Sequence, residues 1–195
     1  MYLPTVVYLL PASACALSWL GFGLAVPARA LSGKGLLDWL TRIGLGSVVV
    51  SLVVLAAGRT GVLDRPLLRA LTALGAAAGL FAVPPLLRAL RGARIRGRLD
   101  RALLIAVAAA LALDLVAATA PVSSADALAY HLGLPKLWLQ TGSIGDPFWR
   151  WEGFNPSGIE MLYTQGLALG GGSAAAPLHA FFAVLCALAV FGLGH

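Results

Sequence analysis

The chain has 195 residues, of which 59% are hydrophobic and only 11% charged. Soluble domains carry roughly 45–50% apolar and about 25% charged residues, so a single water-soluble domain would have more apolar side chains than its interior could hold. The mean hydropathy of +0.88 excludes a disordered chain and points to a multi-pass membrane protein, while the formal charge of +6 suits nucleic acid or anionic lipid as a partner.

The apolar residues come in blocks. Residues 1–28 hold no charged side chain, and Leu3 to Val26 would span the hydrocarbon as a helix kinked at Pro11. A second span runs from about Leu36 to Ala57, with Trp39 and Arg42 at the headgroups. The third, from about Pro66 to Leu87, carries Gly75 and Gly79 as a small-xxx-small packing face and is disturbed near Pro84-Pro85. A fourth covers about Ala102 to Ala120. After a long polar and aromatic segment, Ile159 to Leu169 forms an apolar helical stretch, and Gly170-Gly171-Gly172 breaks it. A fifth span runs from Ser173 toward His195, and because it ends with the chain the sequence reads as the front part of a longer protein. The expected fold is an all-α bundle of about five transmembrane helices. Four lie in 1–120, an outer loop with short surface helices fills 121–159, and the last apolar helix and span fill 160–195.

Six of the fourteen basic residues, Arg88, Arg91, Arg94, Arg96, Arg98 and Arg101, cluster in one connection. The positive-inside rule puts that connection in the cytoplasm. Arg29, Lys34 and Arg42 then join it, while Arg59, Arg65, Arg69, Lys136 and Arg150 face out with segment 121–156. The arginines are placed to meet anionic lipid headgroups rather than nucleic acid. Cys15 and Cys186 each sit in an apolar block without metal-ligand spacing, as small buried hydrophobes.

The outer segment concentrates the chemistry. Ser123 followed by Asp126 matches a capping box, which predicts a surface helix from about Asp126 to Leu134 and a second through Gln140. Trp149 and Trp151 read as interface anchors. Asp126 is either a structural carboxylate of the first turn or a base at the mouth of a membrane cavity. On a regular α-helix Tyr130 shares its face and His131 does not. Asp114, inside the fourth span, is a costly intramembrane acid: a polar site or a helix–helix hydrogen bond. His179 reads as a packing contact.

The run Asp126-Ala127-Leu128-Ala129-Tyr130-His131-Leu132, followed by Pro135-Lys136, Pro156, Glu160-Met161-Leu162-Tyr163, Gly170-Gly171 and Leu178-His179, resembles polytopic glycosyltransferases of the GT-C superfamily. The similarity is to bacterial relatives of dolichyl-phosphate-mannose-protein mannosyltransferases and aminoarabinose transferases, and it covers about residues 100–195. The resemblance implies sugar transfer from a polyprenyl-phosphate donor to a hydroxyl acceptor on the outer face of a bacterial inner membrane. It maps the family's catalytic loop acid onto Asp126. Tyr130, His131, Lys136, Arg150 and Glu160 are the implied substrate-binding residues. His131 meets a phosphate or makes a packing contact. Glu160 is a first-turn carboxylate or a second acid for acceptor or divalent metal, although no metal-ligand spacing is present. Lys136 and Arg150 either neutralise the leaving phosphate or snorkel at the surface. A non-catalytic truncated membrane protein or assembly partner is the alternative, and a transporter a more distant one.

Overall fold

In the computed structural model, residues 6–27, 31, 35–92, 97–120, 122–145 and 157–194 are described, and all their regular structure is helical. The α-helices are α1 (Val6–Gly23), α2 (Leu36–Arg59), α3 (Arg65–Gly92), α4 (Arg98–Ala117), α5 (Gly133–Thr141), α6 (Gly158–Gly170) and α7 (Gly172–Leu193). A π-helical turn, Ala127–His131, precedes α5. The all-α expectation holds.

Three helices are long and apolar enough to cross a membrane: Leu36–Arg59, Arg65–Gly92 and, within α7, Ala174–Leu193. The other two expected spans fall short of that standard. In α1 the apolar stretch is the shorter Leu9–Gly23, and α4 carries Asp100, Arg101 and Asp114. α6, with 13 residues, extends only about 20 Å against a hydrocarbon core of about 30 Å. Pro11 and Pro84-Pro85 are all carried inside continuous helices.

α1 is the centre of the bundle and packs against α2, α3, α6 and α7. Glycine permits two of these crossings. At Gly21 a Cβ would collide with the backbone of Gly75 and Gly79, and at Gly46 with the carbonyl of Trp19. The Gly75/Gly79 face anticipated from the sequence is therefore the α1–α3 contact.

Hydrogen bonds order the two ends of the bundle. At one end, Arg42 Nη1 donates to the carbonyls of Gly23 (3.0 Å) and Val26 (2.9 Å), closing the C-terminus of α1 with a cation. At the opposite end, the α2–α3 connection meets the chain after α5. Leu63 N donates to Gly142 O at 3.0 Å, and Ile144 N to Gly58 O at 2.9 Å. Residues 142–144 thus lie on the side of Arg59 and Arg65, away from Arg42.

α6 is sunk into the bundle with Glu160 to Ala168 buried. Gln165, fully buried, accepts from Trp19 Nε1 (2.9 Å) and donates to Ser18 Oγ (2.9 Å) and Thr72 Oγ1 (2.8 Å). That satisfied network ties α6 to α1 and α3. Its last carbonyls are covered by α3: Arg65 Nη1 donates to Leu167 O (3.2 Å) and Arg69 Nε to Ala168 O (3.0 Å). α4 differs, packing mainly on α7 and leaving Leu103, Leu104, Ile105, Leu113 and Val116 exposed. Cys15 is buried as expected, but Cys186 is exposed on α7.

Candidate functional site

The site begins with a departure from the expected capping. Ser124, not Ser123, starts the helical turn, its Oγ accepting from Ala127 N at 3.2 Å. Asp126 makes no side-chain cap, so its carboxylate is available to other partners. The next turn is wider than an α-helix: Leu132 N donates to Ala127 O, five residues back, at 2.8 Å. In an i→i+5 turn, residues five apart come into register. His131 therefore lies over Asp126, where a regular α-helix would have turned it away. α5 follows with Pro135 in its first turn and ends at Gly142, whose φ of 71° is left-handed.

His131 bridges two carboxylates. Its Nδ1 is 2.7 Å from Glu160 Oε1, and its Nε2 is 3.4 Å from Asp126 Oδ2. The three side chains form a gradient of exposure: Asp126 is 70% exposed, His131 30% and Glu160 3%. Glu160 Oε2 is buried with no hydrogen-bond partner among the described residues.

One turn along α6 from Glu160, Tyr163 repeats the arrangement. Its hydroxyl is 2.8 Å from Nδ1 of His179 on α7. Burial first, then the neighbouring Glu160 and Tyr130, push the phenol up to about 12. The phenol thus stays protonated, with a hydrogen to donate to His179 Nδ1 and lone pairs to accept from it. His131 and Tyr163 also touch edge to face, with ring centroids 6.2 Å apart.

His131, Tyr163 and His179 line a cavity of about 640 Å³ between α4, the π-turn, α6 and α7. Asp114, Ser124, His131, Tyr163 and His179 supply its polar atoms, and much of the remaining wall is alanine. Ser124 and Ala127 belong to the lining, so Asp126 stands at the rim. A second hollow, of about 510 Å³ and almost wholly apolar, lies between α1, α3, α4 and α7. Ala180 lines both.

Of the residues singled out from sequence, Asp126, His131 and Glu160 come together, and Asp114 lines the same cavity as His131. Asp114 is exposed on α4 rather than enclosed among helices. Tyr130 is half-buried and lies against the His131 ring, centroids 4.0 Å apart. Lys136 is exposed on α5 and does not line the cavity. Arg150, with Trp149 and Trp151, lies outside the described residues. Sequence reasoning missed the role of Tyr163 and took His179 for a packing residue. The i,i+3 spacing of Glu160 and Tyr163 on one helix was the available signal.

Among the described residues, no group of three or more His, Cys, Asp or Glu is arranged to hold a metal ion. No protein-family model, curated protein or solved structure matches the chain.

Proposed function

We propose that this chain is, or forms part of, a membrane glycosyltransferase that moves a sugar from a polyprenyl-phosphate donor to a hydroxyl acceptor on the outer face of a bacterial inner membrane. In this reading α1 and α4 cross the membrane as the first and fourth of five spans, and 121–156 is the outer loop. Asp126 removes the acceptor proton as the acceptor oxygen attacks the anomeric carbon. The bond from that carbon to the phosphate oxygen breaks, and the phosphate leaves with the electron pair. Direct displacement inverts the anomeric centre. Lys136 and Arg150 are the outer-side cations assigned to the departing phosphate, and Tyr130 and His131 line the acceptor side.

The observation that carries the reading is the carboxylate at the cavity rim, backed by a histidine that a buried carboxylate holds in place. A general base needs both reach and a fixed geometry, and the π-turn supplies the second. The neighbouring apolar hollow adds support, since a ligand with a polar head and an isoprenoid tail needs adjoining polar and apolar space.

The direct test is transfer from a polyprenyl-phosphate sugar to a hydroxyl acceptor by the protein in liposomes. Glycosylated acceptor above that of protein-free liposomes supports the reading. Its absence with correctly inserted protein favours the second reading, a non-catalytic assembly partner. The exposed apolar length of α4, open to a neighbouring helix, is the observation behind that alternative.

A further inference from the structure

Both histidines of the cavity have Nδ1 engaged by side chains of α6, one turn apart, and the two partners differ in kind, a carboxyl group and a phenol. A carboxylate only accepts, and with Glu160 in that form the 2.7 Å contact places a proton on His131 Nδ1. Tyr163 brings a phenolic hydrogen to 2.8 Å from His179 Nδ1, and when it donates that hydrogen Nδ1 is a lone pair. The hydrogen bond made by one ring nitrogen fixes what the other presents.

We propose that Glu160 and Tyr163 are positioning residues that hold the two cavity histidines in opposite tautomers, giving the cavity a proton-accepting wall at His131–Asp126 and a hydrogen-bond-donating wall at His179.

Whenever His131 carries one proton it is on Nδ1, and Nε2 is a lone pair. That lone pair faces Asp126 Oδ2 at 3.4 Å, so imidazole and carboxylate together take up one proton from a hydroxyl. Whenever His179 carries one proton it is on Nε2, and it donates to an oxygen of the ligand. His179 is exposed and lines the cavity, and its Nε2 has no partner among the described residues. The arrangement selects a ligand that brings a hydroxyl to one wall and an acceptor oxygen to the other. The part each wall plays in catalysis rests on the transfer reaction proposed above; the tautomers do not.

Nitrogen-15 NMR of the ring-labelled full chain in detergent micelles reads this without any substrate. His131→Asn and His179→Asn assign the signals. In the unaltered protein, at a pH where both rings are neutral, His131 carries its proton on Nδ1 and His179 on Nε2. Glu160→Leu removes the acceptor, and the His131 proton moves to Nε2, where Asp126 accepts it. Tyr163→Phe shifts the His179 Nδ1 resonance toward that of an unbonded lone pair. The same tautomer at both histidines, or a His131 proton on Nε2, overturns the proposal in the unaltered protein alone, whether or not the variants fold. Failure to transfer sugar, with the tautomers as stated, overturns the glycosyltransferase reading and leaves the proposal standing.

Discussion

Gln165→Leu tests whether the site is held in place by the polar network behind it. Gln165 is fully buried, and its three hydrogen bonds reach α1 twice and α3 once. After substitution, Ser18 Oγ still donates to Cys15 O at 2.7 Å, and Thr72 Oγ1 to Leu68 O at 2.7 Å. Neither hydroxyl is orphaned. Trp19, fully buried, is the side chain that suffers, because its Nε1–H loses its acceptor. A buried donor left without a partner costs about 1–3 kcal/mol. Leucine fills much of the vacated volume, so the cavity contribution stays small. We expect a loss of about 2 kcal/mol in reversible unfolding in mixed micelles. Trp19→Phe in the same chain removes the orphan, so the double variant should lose less than the sum of the single losses. Unchanged stability for Gln165→Leu, or strict additivity with Trp19→Phe, would refute the reasoning. The variant should also broaden the His131 and His179 ring signals, since Gln165 anchors the helix that fixes both.

Ser124→Ala should cost about 1 kcal/mol of local stability by amide hydrogen exchange at residues 125–128, whereas Ser123→Ala should cost nothing; the reverse order would restore the Ser123 capping box. Cysteines introduced at Gly92 and Gly145 should be labelled from opposite faces of a sealed vesicle, with Gly145 reached from outside and Gly92 from the cytoplasm. Labelling of both from one face would break the topology.

Much of the bundle could be read directly because lipid-compatible helices are written as continuous apolar runs. The blocks at Leu36, Pro66 and Ser173 became α2, α3 and α7, and Gly75 and Gly79 met α1 because only a bare backbone permits that approach. α6 was legible as a helix but not as a buried one. Its burial depends on Gln165 finding partners 147 and 93 residues away, which no local pattern encodes. The spacing to Asp126 assigned the cap to Ser123, whereas its neighbour Ser124 makes the bond, and a one-residue change in hydrogen-bond register decided which side chain meets Asp126. Periodicity of 3.6 put Tyr130 there. The π-turn put His131 there instead, and nothing in Ala127–His131 announces five-residue closure. The Tyr163–His179 contact required the α6–α7 hairpin to fold back at Gly171, whose φ is 72°, before two residues 16 apart could touch.

The central claim is that Asp126 takes the acceptor proton, and Asp126→Asn measures it most directly. The amide keeps the shape of the carboxylate and, exposed at the rim with no capping bond to lose, should leave the fold intact. Transfer from a polyprenyl-phosphate sugar, in liposomes with equal amounts of inserted protein, should fall by ~10²–10⁴-fold. Turnover equal to that of the unaltered protein would contradict the claim.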